Sequence, residues 1–360
     1  MVSASANPWS GADVLVTGHT GFKGGWLSLW LSELGARVHG LALDPTADAL
    51  FFDVADVGPR LASDRRGDVR DLGVVVDAVQ SARPKVVFHL AAQPLVRESY
   101  QDPVGAFAVN VMGAVHLIEA VRRTPSVEAV VIVASDKVYE NREWEHPYRE
   151  TDRLGGRDPY SASKGACEIA VASLRASFFG PGDHPARVAS VRAGNVIGGG
   201  DFSADRLVPD CMRAFARGEP VRLRFPNAVR PWQHVLEPLR GYIMLAEHLL
   251  GSDGARHARA WNFGPAPADE APVGALAERL AALWGPGAKV EMDASGSHPH
   301  EAGLLRLDST LARLGLGWEP RLDLADALAL TISWHRAHAA GQDMASVTLG
   351  QISAYAGGRE

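Results

Sequence analysis

Two cysteines in 360 residues, Cys167 and Cys211, are too few for a disulfide framework or a sulfur-rich metal cluster. Such scarcity fits a reducing compartment. Excess charge of one sign is missing as well. Thirty-six Lys and Arg against 42 Asp and Glu leave a formal −6, with no broad basic field to hold nucleic acid. The start, "MVSASANPWSG", lacks the basic-then-apolar order of a signal peptide, and no apolar run reaches the ~18 residues that a bilayer span requires. Internal repeats and low-complexity tracts are absent, and only the final "AGGRE" reads as a frayed end. The expected setting is therefore the cytoplasm, with neither a membrane nor a nucleic acid as partner. Apolar residues at 46% and charged residues at 22% describe a globular chain, long enough for one large core or two fused units.

What is present is alternation. The runs "VLVTG", "RVHGLAL", "VVFHLAA", "AVVIVAS" and "ARVASVRAGNVI" are continuous and apolar, as strands buried on both faces are. Between them lie the helical patterns Lys23 to Leu34, Leu72 to Ala82, Val104 to Arg123 and Ala162 to Phe179. This order predicts an α/β fold, a Rossmann-type doubly wound parallel sheet over 11–197. After about Gly198, short strands such as "VRLR" and "AWNFGP" mix with loops rich in Pro, Gly and Arg. Residues 198–345 are expected to form a smaller, interleaved substrate-binding lobe, with segments such as 234–265 returning to the first domain.

"VLVTGHTGFKGGWLSLWLSELG" is strand, glycine turn and amphipathic helix in one stretch. Gly18, Gly21 and Gly24 permit a tight turn and a close backbone approach to a pyrophosphate, which the N-terminus of the following helix stabilises. The spacing of the first two glycines resembles the short-chain dehydrogenase/reductase superfamily. That resemblance implies a dinucleotide held by the loop glycines together with Thr20, Phe22 and Lys23. It also implies that Asp68 and Val69 of "GDVRD" grip adenine, and that Leu90, Ala91 and Ala92 of "HLAAQ" lie beside ribose and pyrophosphate. Alone, "GDVRD" is an ordinary helix cap before Leu72. A ribose 2′-OH wants a carboxylate at the end of the second strand, and a 2′-phosphate wants Arg or Lys. Asp44 comes two residues later than the usual position, which Ala42 occupies. With no arginine just after that strand, NAD is the expected cofactor.

Tyr160 and Lys164 in "DPYSASKGACE" stand four apart, so both project from one helix face. A phenol titrates near pH 10 in water. A nearby cation and an oxidised nicotinamide lower that value, letting Tyr160 take a hydroxyl proton. The pair resembles the superfamily's catalytic motif, which implies Ser135 as hydroxyl partner and Lys164 as a second ligand to the nicotinamide ribose.

Oxidising a sugar alcohol leaves Asp136 and Lys137, directly after Ser135, without a task. If a hexose is oxidised at C4, its C5 proton becomes acidic and its C6 hydroxyl becomes a leaving group. An adjacent acid and base then supply the elimination of water. The strings "VTGHTGFKGGWLSLWL", "AAQPLVRESY", "SDKVYENREW", "RAGNVIGGGDF", "RPWQHVLEPL" and "HPHEA" resemble the CDP-glucose 4,6-dehydratase family across nearly the whole chain. Membership implies CDP-glucose as substrate, tightly held NAD, and homodimers built through a four-helix bundle, with a dimer of dimers as the next assembly. An ammonium accepts no proton, so a basic Lys137 requires a depressed pKa in a unit coupled to Asp136. The alternative is that Lys137 orients the C6 hydroxyl or an enolate-like oxygen. Arg206, Arg222, Arg224 and Arg230 offer bidentate donors to a diphosphate. The family resemblance singles out Arg230 for the diphosphate and Asn195 for a phosphate or sugar, and implies that Asn110 steadies the active-site wall. Arg206, Gln93, Asn110 and His300 complete the expected substrate-binding set, the last near the base pocket beside Glu301. No metal is expected, because His298 and His300 lack ligand spacing. Two other readings remain open. One is an epimerase or a dTDP- or GDP-sugar dehydratase of the same superfamily, and the other is a sensor with the fold but no turnover.

Overall fold

The computed structural model describes residues 7–45, 51–180, 182–292 and 303–358. Its centre is a seven-stranded parallel sheet made of β1 (Asp13–Thr17), β2 (Arg37–Ala42), β3 (Ser63–Arg66), β4 (Val86–His89), β5 (Ala129–Val133), β6 (Arg187–Ala193) and a last strand, Ala260–Phe263. The spatial order is Ala260–Phe263, β6, β5, β4, β1, β2, β3. The expected doubly wound sheet is thus present, and its order reverses between β1 and β4. Ligands bind in the crevice at such a reversal, beyond the carboxyl ends of the strands. Every residue of β4 and β5 is buried, as their unbroken apolar runs require.

β3 was not visible in the sequence pattern. "SDRR" has no apolar face, and three of its four residues are exposed. Among the described residues it is an edge strand paired in parallel with β2 alone, where charge discourages edge-to-edge association. The Tyr160 helix also begins earlier than the expected Ala162, at Pro159. Asp158 caps it by accepting from the Ser161 amide at 2.9 Å, and Pro159 takes the first position, where no N–H is needed.

Pro103–Arg122 forms one helix, long and apolar enough by length and composition to cross a membrane, where the sequence had shown no such run. Its inner face, with Ala106, Asn110, Ala114, Leu117, Ile118 and Val121, is buried. A π turn over Ala108–Met112 lets Asn110 point inward.

The second lobe has its own core, in which Val208, Met212 and Phe215 meet Leu276, Leu280, Leu328 and Ile332. The helix Leu236–Leu250 and the strand Ala260–Phe263 pack with the main sheet instead. So does the end of the chain, where Trp334 meets Phe51 and Tyr355 meets Trp30.

Candidate active site

The glycine turn lies at the sheet's reversal. Gly18 has φ +75°, and a Cβ there would come 2.7 Å from the Ala91 amide nitrogen. A Cβ on Gly24 would run into the Gly18 carbonyl oxygen. Side chains at either position would fill the cradle. Gly21 caps the helix Phe22–Glu33 without a side-chain partner, so amides of its first turn stay open to an anion. The Thr17 hydroxyl accepts from the Ala91 amide at 3.2 Å and pairs with His89 Nδ1 at 2.8 Å, joining the turn to the Leu90–Ala92 segment. Thr20 donates to the Leu43 carbonyl at 3.1 Å, tying the loop to the end of β2. This cradle fits a dinucleotide pyrophosphate.

At the expected adenine end, Asp71 rather than Asp68 caps Leu72–Ala82, accepting from Gly73 and Val74. Asp68 is therefore left for another partner. Arg70 holds its carboxylate through Nε at 2.8 Å and Nη2 at 2.6 Å, which keeps its pKa below the ordinary value. A recess of about 500 Å³ is lined by Asp68, Arg70, Asp71, Leu72 and His116. His116, which the sequence did not flag, sets its Nδ1 3.0 Å from the carbonyl of Val69. Asp44 projects into solvent with its side chain 84% exposed and pairs with Arg66 Nε at 3.6 Å. The sequence showed no arginine just after β2, yet the fold supplies one from β3.

Ser135, Asp136, Tyr160 and Lys164 are brought together and buried, with Lys137 half-buried beside them. Ser135 ends the loop after β5 and caps the short turn Asp136–Val138, its hydroxyl accepting from the Lys137 amide at 3.2 Å. The same hydroxyl donates to Asp136 Oδ1 at 3.0 Å and also lies against the Tyr160 phenol. Among the described residues, Asp136 Oδ2 has no hydrogen-bond partner. Burial raises the Asp136 pKa, against the opposing pull of Lys137, Ser135, Arg230 and Lys23. Tyr160 is likewise raised by burial, which Ser135 opposes. Lys164 donates to the Val133 carbonyl at 3.3 Å, and burial lowers its pKa.

Lys23 turns from the glycine loop into this centre. Burial first, then Arg206 and Lys164, push its pKa down to about 8, while Asp136 and Asp201 oppose. Lys23, Lys137, Lys164, Arg206 and Arg230 thus stand near two carboxylates, Asp136 and Asp201, an excess suited to an anionic substrate. Arg206 is held by Asp201 at 3.1 Å, and Arg230 is 6% exposed. Arg222 faces away, 3.7 Å from Glu291, with its side chain 73% exposed. Arg224 shares Asp205 with Arg97, at 3.2 and 2.9 Å. That bridge joins the helix Val96–Gln101 to the second lobe and carried no signal in the sequence.

Asn110, expected among the substrate ligands, is committed to protein. Its Oδ1 accepts from the Gln93 amide at 2.9 Å, and its Nδ2 donates to the Gln93 carbonyl at 3.1 Å and to Ser163 at 2.9 Å. It clamps the Gln93 loop to the Tyr160 helix, which steadies that wall of the site. Among the described residues, Gln93 keeps a buried Oε1 without a partner, and Asn195 is half-buried, its carbonyl accepting from the Gln233 amide at 3.0 Å. His300 and Glu301 lie outside the described residues.

Residues 14–264 match the model of the NAD dependent epimerase/dehydratase family. The chain is 47% identical over 352 residues to a CDP-glucose 4,6-dehydratase of Salmonella typhimurium, covering 97% of each protein. It is 31% identical to a dTDP-glucose 4,6-dehydratase of Streptomyces griseus, over 76% of this chain and 77% of that one. A solved structure of MoeE5 in complex with UDP-glucose and NAD superposes with a TM-score of 0.74 at 28% identity, covering 91% of this chain and 99% of that chain.

Proposed function

The chain belongs to the NAD dependent epimerase/dehydratase family, and from that premise we propose that it converts CDP-glucose to CDP-4-keto-6-deoxyglucose and water. The similarity to a CDP-glucose dehydratase over nearly the full length supports the nucleotide, and the cluster beyond β5 supports the reaction. The glycine cradle of Gly18, Gly21 and Gly24 would hold NAD, which would supply a reversible hydride store between sugar C4 and C6.

The protein's own groups move protons and hold charge. Tyr160 Oη accepts the C4 hydroxyl proton, with Lys164 stabilising the phenolate and Ser135 orienting the hydroxyl. Lys137 Nζ takes the C5 proton. Asp136, whose pKa burial raises, gives its proton to the departing C6 hydroxyl, so that water leaves. Lys137 then returns its proton to C5. Tyr160 ends with one proton more and Asp136 with one fewer. Ser135 touches both groups and provides the path that resets them. The observation carrying this reading is the buried, half-unpartnered Asp136 beside Lys137, an arrangement that sugar oxidation alone leaves idle.

Arg206 and Arg230 hold the diphosphate, with Asn195 and Gln93 against the sugar. A homodimer forms through the Pro103–Arg122 and Pro159–Phe178 helices. Val104, Phe107, Met112, Ile169 and Phe178 are exposed on these helices, a set of apolar side chains suited to a twofold contact. Two free, buried cysteines suit the cytoplasm.

The test is incubation of purified protein with CDP-, dTDP-, GDP- and UDP-glucose, read by mass spectrometry for loss of one water. The CDP sugar should lose it fastest. A protein that holds NAD yet leaves CDP-glucose intact overturns the proposal.

A further inference from the structure

In a doubly wound sheet the residue ending the second strand reads the adenosine ribose. A carboxylate there takes the 2′-hydroxyl of NAD, and an arginine nearby takes the 2′-phosphate of NADP. Ala42 holds that position and can do neither. The register of β2 on β3 pairs Ala42 with Arg66, so an arginine reaches the ribose end from the neighbouring strand. Its guanidinium lies 4.8 Å from the centre of the Phe52 ring, which fixes its plane. Nη2 meets Asp64 Oδ2 at 2.8 Å, and Nε faces Asp44 Oδ1 at 3.6 Å. Asp64 is itself anchored, because its other oxygen lies 2.8 Å from the Nε2 of buried His19. Asp44 is the exposed member, so it can be changed without disturbing the core.

We propose that Asp44 and Arg66 together set the choice of NAD over NADP, Asp44 masking an arginine otherwise placed to bind a 2′-phosphate. The phosphate brings close to two negative charges. Asp44 repels them and occupies the outward side of the guanidinium. Neutralise Asp44, and Arg66 still sits stacked and steered by Asp64, its Nη1 on the Leu43 carbonyl at 3.5 Å and its Nε released for the incoming oxygens. One charge on a surface loop then separates the two cofactor preferences.

The inference rests on the reading that this cradle holds NAD. Nucleotide-stripped full chain is titrated with NAD and with NADP by calorimetry, for the unsubstituted protein, Asp44→Asn, and Asp44→Asn combined with Arg66→Met. The unsubstituted protein should prefer NAD. Asp44→Asn should shift the NADP-to-NAD affinity ratio at least tenfold toward NADP, and the second substitution should erase that gain. A ratio unchanged within twofold in Asp44→Asn, or a gain that survives loss of Arg66, overturns this inference and leaves the reading of the cradle intact. An unsubstituted protein that binds neither nucleotide overturns both.

Discussion

The carboxylate of Glu168 meets the guanidinium of Arg192 at 2.8 Å, with both side chains no more than 4% exposed. Glu168 lies one helical turn beyond Lys164, and Arg192 comes from β6. Arg192 also donates to the Tyr139 hydroxyl at 2.8 Å, which in turn donates to Asn262 Oδ1 at 2.7 Å. Tyr139 directly follows the Asp136–Val138 turn. The ion pair therefore fixes the Tyr160 helix relative to the Asp136 turn, and Ser190 completes it by donating to Glu168 Oε2 at 2.7 Å.

Removing one partner strands the other charge in the core. Glu168→Leu or Arg192→Met should each lower the unfolding free energy by about 3–5 kcal/mol. Replacing both together should cost less than either alone, because no charge is then left without its partner. Urea unfolding of the three variants checks this, and a double variant weaker than both singles contradicts it.

The proposed division of labour separates two steps. Lys137→Ala should still oxidise C4, seen as reduced cofactor that accumulates on the protein, while water loss falls by about 10²–10⁴-fold. Normal dehydration by this variant would remove Lys137 from the chemistry. Tyr160→Phe should lose both steps, since the base starting the sequence is gone. Substantial remaining oxidation would assign that base elsewhere.

Local chemistry was legible in the sequence, and long-range pairing was not. The glycine turn and the Tyr160–Lys164 spacing lie within one strand–turn–helix and one helical turn, so residue numbers alone set them side by side. β3 escaped because an edge strand needs no apolar face, and with it went Arg66 at the ribose end. Arg97 and Asp205 stand 108 positions apart, and their contact depends on how the second lobe sits over the sheet. Asn110 was visible as a polar residue in an apolar helix. Its partners became visible only with the π turn that rotates it inward.

The apolar exposure on the two outer helices predicts assembly. Val104 is 79% exposed and Ile169 is 61% exposed. Placing Val104→Asp and Ile169→Asp together should convert the proposed dimer to monomers while leaving the fold's far-ultraviolet spectrum unchanged, because neither side chain supports the core. Light scattering coupled to size exclusion reads the mass. A dimer that survives both charges would place the contact on another face.

Acid should destabilise the fold through histidines buried in neutral form. Burial pushes His335 down to about 4, with His338 adding to the shift and Asp201 opposing it. Burial likewise drives His89 and His234 to about 3. An unfolded histidine binds its proton near pH 6.5. Between that value and the folded one, the unfolded chain holds more protons than the native one, so stability falls as pH falls. Each such histidine contributes a slope of about 1.4 kcal/mol per pH unit inside its window. Buried carboxylic acids such as Asp136 and Glu237, whose values are raised by burial, act in the opposite sense and blunt the total. A single substitution isolates one group from that sum. His335→Gln removes one titration, so its stability should decline less steeply than that of the unsubstituted protein between pH 6 and pH 5, by about 1.2 kcal/mol over that unit. Urea unfolding at the two pH values measures the difference, and equal slopes would show that His335 carries its proton in the native state.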